Sequence, residues 1–480
     1  MDNSERLHEA LKRGLAEGGN LREELLPLGE YLVTSYFDAG VLIEALDKFV
    51  ERPVPGGDED PAFRELTRLF QSVLETDAFL QLTRRGIPLL FDAYDARLRS
   101  AEEREGDLLF ALQMFARYGV EDGLDRVVAG AFNPALSDGY LWPAIFEQLK
   151  EEDPILSKLI RRLSKPLPSG FARVAFLDWT NRLVRKGTIL KHPFNSPEGT
   201  ALLQTWLASS DEDDFSFAHS AAAAIPFVAA PARTQLLALA TDHPDINVRM
   251  EAAWAAARLG NETGKTALAR LCLDRNYSMA ARAYLEELGL REVIPKEADE
   301  PGFRAMAKMC EWLGRPKEFG RPPDDIELFD TRELHWPPTK DWRPVWLFKF
   351  RYAAEVSDDL PDGDEADEVD DDEIGIGMAG SIPHSLEGET NALMPPIDIY
   401  ALHCCWELEA KHDSRAPEVR SIEAGRALLD AAPQEPPHPL EDFPFDSFPM
   451  DDLPTENYSI DNPPPEDLHE VPVPPSDVRE

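Results

Sequence analysis

Residues 245–260 read DINVRMEAAWAAARLG, with small apolar side chains returning every three or four positions. That spacing predicts an amphipathic helix. Asp245 stands where a helix cap belongs, Val248 and Ala252 point inward, and Gly260 supplies the C-terminal stop. Further helices are predicted over 264–274 and 278–289. Leu259-Gly260 recurs as Leu288-Gly289, a shift of 29, and the run 236–242 recurs as 268–274, a shift of 32. Self-similarity near 30 residues in helix pairs is the sequence sign of an α-solenoid. Burial of Ala252, Ala253, Leu259, Leu268 and Leu271 between the helices follows from it.

Upstream, helical periodicity continues from 4 to 207, with predicted helices over 101–118, 140–150, 154–163 and 199–209. Proline- and glycine-bearing passages at 53–57 and 192–197 read as loops. A helix with Met306, Met309 and Trp312 follows Pro301. A Pro- and Trp-rich passage, 321–342, then reads as a linker. Beyond it the period drops to two. Trp346, Phe348, Phe350 and Tyr352 share one face, with Lys349 and Arg351 opposite, and 397–410 alternates through Tyr400, Leu402, Cys404, Trp406 and Leu408. Both read as strands. A helix is expected from Pro417 to Ala432.

Asp245, Val248, Arg249, Ala252, Ala253 and Leu259-Gly260 resemble one unit of a HEAT-like repeat of the short bacterial kind, clearest over 217–290. The resemblance implies that Asp245 and Arg249 belong to a structural ladder between neighbouring repeats. Ser278 stands where the next unit would carry its acid, so the ladder is expected to end there. The fold class is therefore mostly α. The resemblance implies a HEAT-like α-solenoid (1–320), and after the linker a small α+β module (343–432) of about three antiparallel strands and a helix is expected. A disordered acidic, Pro-rich tail (433–480) is expected to close the chain.

Charge sharpens this division. The 480 residues carry 90 acids against 49 Lys and Arg, a net charge of −41. Eleven acids fall in an insertion at 357–373 and thirteen in the tail. Thirteen prolines in the tail leave too little apolar surface to offset ordering, hence the expectation of disorder. Such a balance opposes general binding to nucleic acid or anionic membrane. With no leader-like N-terminus, no long apolar span and only four cysteines, a cytoplasmic protein is expected.

One stretch runs against the charge. Between 158 and 191 there are nine basic residues and a single acid, Asp178. Arg161, Arg162, Arg182, Arg185 and Lys186 are the candidate anion- or partner-binding residues. The plainer reading pairs them with acids such as Glu151, Glu152 and Asp153. A further expectation is that the acidic tail or insertion docks loosely on this stretch.

Other candidate chemistry fails on its context. Gly375, Gly377 and Gly380 match G-x-G-x-x-G, but Asp370 to Glu373 precede them and Pro383 stands where a helix should begin. A strand with a bend is expected instead. The run 358–369 lacks the glutamate a calcium loop needs at its twelfth position, which is Val369. His403, Cys404, Cys405 and His412 fit no zinc spacing if 403–405 is a strand, because neighbours there face opposite sides. Catalytic and cofactor residues are therefore expected to be none. The function expected is a non-enzymatic scaffold or adaptor for protein partners. The resemblance also leaves two alternatives: a bilin lyase holding a tetrapyrrole and its acceptor protein, and a helical-repeat DNA glycosylase using 158–191.

Overall fold

In the computed structural model, residues 3–433 are described apart from 30–31, 57–59, 74, 152–154 and 354–371. The tail beyond Pro433, the insertion up to 371 (with its calcium-like run), and Glu152 and Asp153 lie outside the described residues. The molecule is mostly helical. The chain begins with α1 (Asn3–Gly14), α2 (Leu21–Leu25), α3 (Tyr36–Val50), α4 (Pro61–Gln71), α5 (Thr76–Gln81) and α6 (Ile87–Arg97). Next come α7 (Glu105–Tyr118), α8 (Glu121–Ala131), α9 (Trp142–Glu147), α10 (Ile155–Leu163), α11 (Gly170–Lys186) and α12 (Pro197–Leu207). Then follow α13 (Phe215–Ala224), α14 (Ala230–Thr241), α15 (Ile246–Arg258), α16 (Glu262–Leu271), α17 (Ser278–Glu287) and α18 (Pro301–Leu313).

Sequence chemistry sets these boundaries. Ser35, Asp60, Ser196 and Asp245 each accept a hydrogen bond from a backbone N–H in the first turn of the helix they precede. Gly119, Gly187 and Gly260 stop α7, α11 and α15 in the left-handed region, with φ of 63°, 81° and 81°. Alanines then let the helices close. Ala218, Ala221, Ala222 and Ala224 of α13 and Ala252 to Ala257 of α15 are almost wholly buried.

Alternate helices touch. α7 meets α9, α9 meets α11, α11 meets α13, α13 meets α15, and α15 reaches α17. A second series joins α8 to α10 and α12 to α14. Sequence neighbours such as α7 and α8, α12 and α13, and α15 and α16 connect the two. One continuous apolar core runs beneath them, with Phe146 stacked on Trp179 at 5.1 Å. Leu268 is fully buried there and Leu271 half-buried. Leu259 departs from expectation. It is exposed, because α15 ends at Arg258 and the chain turns at Gly260.

The C-terminal part is an antiparallel sheet in the order β1-β2-β3-β4, with β1 (Asp325–Trp336), β2 (Asp341–Tyr352), β3 (Glu373–Ala379) and β4 (His384–Glu387). It also holds α19 (Glu389–Ala392), α20 (Pro396–Ala410) and α21 (Ile422–Asp430). Several expectations are corrected here. The passage read as a linker carries β1, paired with β2 from Asp325↔Arg351 to Trp336↔Asp341. Among the described residues there are four strands, not about three. Residues 397–410 form helix α20, and the last helix starts at Ile422, capped by Ser421 rather than led by Pro417.

Both sheet faces are covered. Trp336, Val345, Leu347, Ile376 and Met378 pack with Tyr400, Cys404 and Leu408 of α20. On the other face Phe350 and Tyr352 meet Phe319, while α18 lies across β1, β2 and β3. The glycines of the fingerprint belong to this packing. A Cβ at Gly375 would lie 2.3 Å from the Phe350 ring, and one at Gly377 would lie 2.7 Å from Met309 Sδ. Gly380 bends the chain at φ +104°, against the Pro344 carbonyl.

Candidate functional site

Three of the five candidate basic residues lie on ion-pair rungs between helices. On α10, Lys158 meets Glu121 and Arg162 meets Asp125, both acids being on α8. On α11, Arg182 meets Glu147 of α9 at 2.9 Å and Lys186 meets Glu151 at 2.7 Å. Each pair of rungs matches two cations four residues apart with two acids four residues apart, in the same order. The paired helices therefore run in the same direction. Sequence separations are 37 and 35 residues, and Arg126 of α8 meets Asp95 of α6 across 31. Backbone and side-chain bonds repeat the interval. Ala172 N–H donates to the Ser137 carbonyl across 35 residues, and Ala229 N–H donates to Asn195 Oδ1 across 34. Arg161 is exposed and has no carboxylate partner among the described residues.

The ladder implied for Asp245 and Arg249 takes another form. Asp245 caps α15 by accepting from Val248 N–H at 2.9 Å, and Arg249 Nη1 donates to the His243 carbonyl at 2.7 Å and to the Pro244 carbonyl. These bonds stay within residues 243–249. The acids that meet cations more than 30 residues away are Asp95, Glu121, Asp125, Glu147 and Glu151 instead.

Arg185 behaves unlike the other cations. Its partner, Glu251, lies 66 residues away on α15, and the contact passes over α13. Arg185 Nη2 donates to Glu251 Oε1 at 3.2 Å, and Arg185 Nε lies 3.3 Å from Glu287 Oε1 of α17. The guanidinium stacks on Trp254, 3.6 Å from the ring centre, with the Tyr284 ring at 5.9 Å. Tyr284 Oη donates to Glu251 Oε2, and His219 Nε2 of α13 lies 3.7 Å from that same oxygen. The Glu251 side chain is 2% exposed and that of Arg185 is 30% exposed. Burial, then the Glu251 charge, push the Tyr284 hydroxyl far above its ordinary pKa, which keeps it a donor.

The shell around this cluster is aromatic and cationic. Arg258 lies over Phe227 and Trp254 and 3.9 Å from Glu287. Phe227 stacks on His192, whose Nδ1 accepts from Phe194 N–H and whose Nε2 faces Asn181 Oδ1 at 2.9 Å. That assigns the proton to Nε2, and burial lowers the His192 pKa to about 3. The side chain of Asp178 on α11 is exposed by surface yet crowded by neighbouring atoms. The crowding raises its pKa, opposed by Ser220, His219 and Arg182.

The His403, Cys404 and Cys405 run lies on a helix, where consecutive side chains are about 100° apart. His403 is buried and its Nδ1 lies 3.2 Å from His384 Nδ1, with His384 against Trp406. Burial holds both imidazoles below the ordinary histidine range. No cluster of three or more metal-ligating side chains occurs among the described residues. One hollow is lined by Phe79, Tyr118 and Leu159, and another lies along α14 beside Leu259 and Asn261. Among the described residues, no helix is long and apolar enough to cross a membrane.

No protein-family model matches this chain, and no curated protein matches it significantly.

Of the five candidates, the structure brings Arg162, Arg182, Arg185 and Lys186 onto carboxylates and leaves Arg161 in solvent. Sequence reasoning missed Glu251, Trp254, Tyr284 and Glu287. A signal existed in Glu251, a lone acid inside the buried run from Met250 to Ala257.

Proposed function

We propose that this chain is a non-enzymatic helical-repeat scaffold, an α-solenoid of HEAT-like units, that binds a protein partner along α11, α13, α15 and α17. The observation that carries the reading is the interval of 31–39 residues at which bonds recur between alternate helices. Units that contact only their neighbours can spread a binding surface over several repeats, here through exposed positions such as Arg182, Lys186, Arg258, Glu286 and Glu287. The resemblance at Asp245, Val248, Arg249 and Leu259-Gly260 supports the family, and four unpaired, buried cysteines fit a cytoplasmic setting. The DNA glycosylase alternative asks for free cations at 158–191, where Lys158, Arg162, Arg182 and Lys186 already face single carboxylates. No observation favours the bilin alternative.

Affinity purification of the tagged full chain from its host, with cross-linking and mass spectrometry, tests the proposal. Cross-links from one reproducible partner should fall on α11, α13, α15 and α17. Cross-links confined to the sheet, or a turnover activity in the purified chain, would overturn it.

A further inference from the structure

We infer that Glu251, Trp254, Tyr284 and Glu287 form a guanidinium cage that the chain's own Arg185 fills, and that an arginine side chain of a protein partner can take Arg185's place. The inference rests on reading α11, α13, α15 and α17 as the partner-binding surface, and it names the chemistry of the partner: an exposed arginine on a basic segment.

The cage suits a planar cation. Carboxylates from two helices approach the guanidinium edge at 3.2 and 3.3 Å, and the Trp254 ring lies against its face at 3.6 Å. A hydrogen bond from Nη2 to Glu251 with a ring over the flat face is what a guanidinium offers and an ammonium does not, while Glu287 adds charge beside Nε without accepting a hydrogen bond from it. Tyr284 fixes the second oxygen of Glu251, so one oxygen is left aimed at the cation.

The occupant is unusual for this molecule. Every rung spans 31–37 residues between adjacent units, whereas Arg185 reaches across 66 and passes over α13. It arrives on a long, flexible stem and is nearly a third exposed, so it can swing into solvent without disturbing α11. Glu251 cannot follow. A carboxylate that is 2% exposed is strongly destabilised without a cation, so Arg185 can leave only if another cation enters. The site therefore exchanges occupants and does not stand empty. A chain of net charge −41 also draws basic segments towards it.

The test titrates N-acetyl-L-arginine amide and N-acetyl-L-lysine amide into full-length wild type, Arg185→Ala and Arg185→Ala/Glu251→Gln, followed by calorimetry and thermal shift. Arg185→Ala should bind the arginine probe saturably, at least tenfold tighter than the lysine probe. It should also bind at least tenfold tighter than wild type, whose tethered Arg185 competes. Wild type should still bind saturably, and the double variant should lose the preference for arginine. Equal affinity for both probes, equal affinity in wild type and Arg185→Ala, or no saturable binding to wild type would each overturn the inference. If Arg185→Ala does not fold, Arg185→Lys replaces it, keeping charge and stem but not the planar fork. A thermal gain specific to the arginine probe is then expected, and no such gain overturns the inference. Partner capture with wild type is scored separately, so a scaffold without an arginine cage and a chain that is no scaffold give different results.

Discussion

Replacing Gly264 with alanine isolates the closeness of the helix packing. Gly264 lies in the first turns of α16, where Gly→Ala ordinarily stabilises a helix by about 1 kcal/mol. Here the added Cβ would stand 2.6 Å from the Ala253 carbonyl oxygen, 2.6 Å from the Ala257 nitrogen and 2.7 Å from Ala256 Cβ. Two of those atoms are backbone of a buried helix and cannot swing aside, so α15 and α16 must separate. Overpacking of this kind costs about 1–3 kcal/mol, and rigid neighbours place it at the upper end. Subtracting the propensity gain leaves a net loss of about 1–2 kcal/mol. Gly106 in the first turn of α7 is the control, since nothing lies within 4 Å of its Cβ position. Urea unfolding of wild type, Gly264→Ala and Gly106→Ala gives the answer directly. Gly264→Ala should lower the midpoint while Gly106→Ala holds or raises it. Equal midpoints for the two variants would refute the close approach of α15 and α16.

Further expectations follow from single sites. Glu251→Ala leaves Arg185 with Glu287 as its one carboxylate among those described and strands the Tyr284 hydroxyl; with Arg185 partly solvated, the loss should be about 2–3 kcal/mol, read by chemical denaturation. A double-mutant cycle on Glu147 and Arg182, both half exposed, should give a coupling of at most about 1 kcal/mol that fades in high salt. His192 has a folded pKa of about 3, below the ordinary value of 6.5, so the unfolded chain binds its proton more readily. Its contribution is complete above pH 6.5 and is lost as pH falls towards 3, at up to about 1.4 kcal/mol per pH unit; His192→Gln should flatten that part of the pH profile. Burial raises the Cys272 and Cys310 thiols to about 11 and Cys404 to about 12, so a thiol reagent at pH 8 should modify these three only after unfolding.

Local chemistry was legible wherever one signal acted alone. Asp245 and Gly260 bound α15 as read, and the alternation of Trp346, Phe348, Phe350 and Tyr352 identified β2. The error at 397–410 came from two periods that coincide. Tyr400, Cys404 and Leu408 satisfy a repeat of two and a repeat of four, and burial between the sheet and α21 removed the polar face that marks a helix. β1 was hidden because an edge strand with Asp325, Glu327, Asp330, Arg332 and Glu333 shows no clean alternation, and a bulge at Phe329 shifts its register. The basic stretch was visible as composition and Glu151 was named among its acids, but Glu121, Asp125 and Glu147 lie 35–37 residues from their cations, a distance at which sequence alone assigns no partners. The cage needed four helices in place before Arg185 could be seen to reach Glu251.

The claim that alternate helices meet through rungs at intervals of 31–37 residues is tested most directly by zero-length carbodiimide cross-linking of the folded full chain. The reagent joins a lysine only to a carboxylate in contact with it, and two rungs are lysine–carboxylate pairs. Peptide mapping should find Lys158 joined to Glu121 and Lys186 joined to Glu151 as the leading internal links of these lysines. Links from Lys158 and Lys186 mainly to other acids, with both rung products missing, would contradict the arrangement.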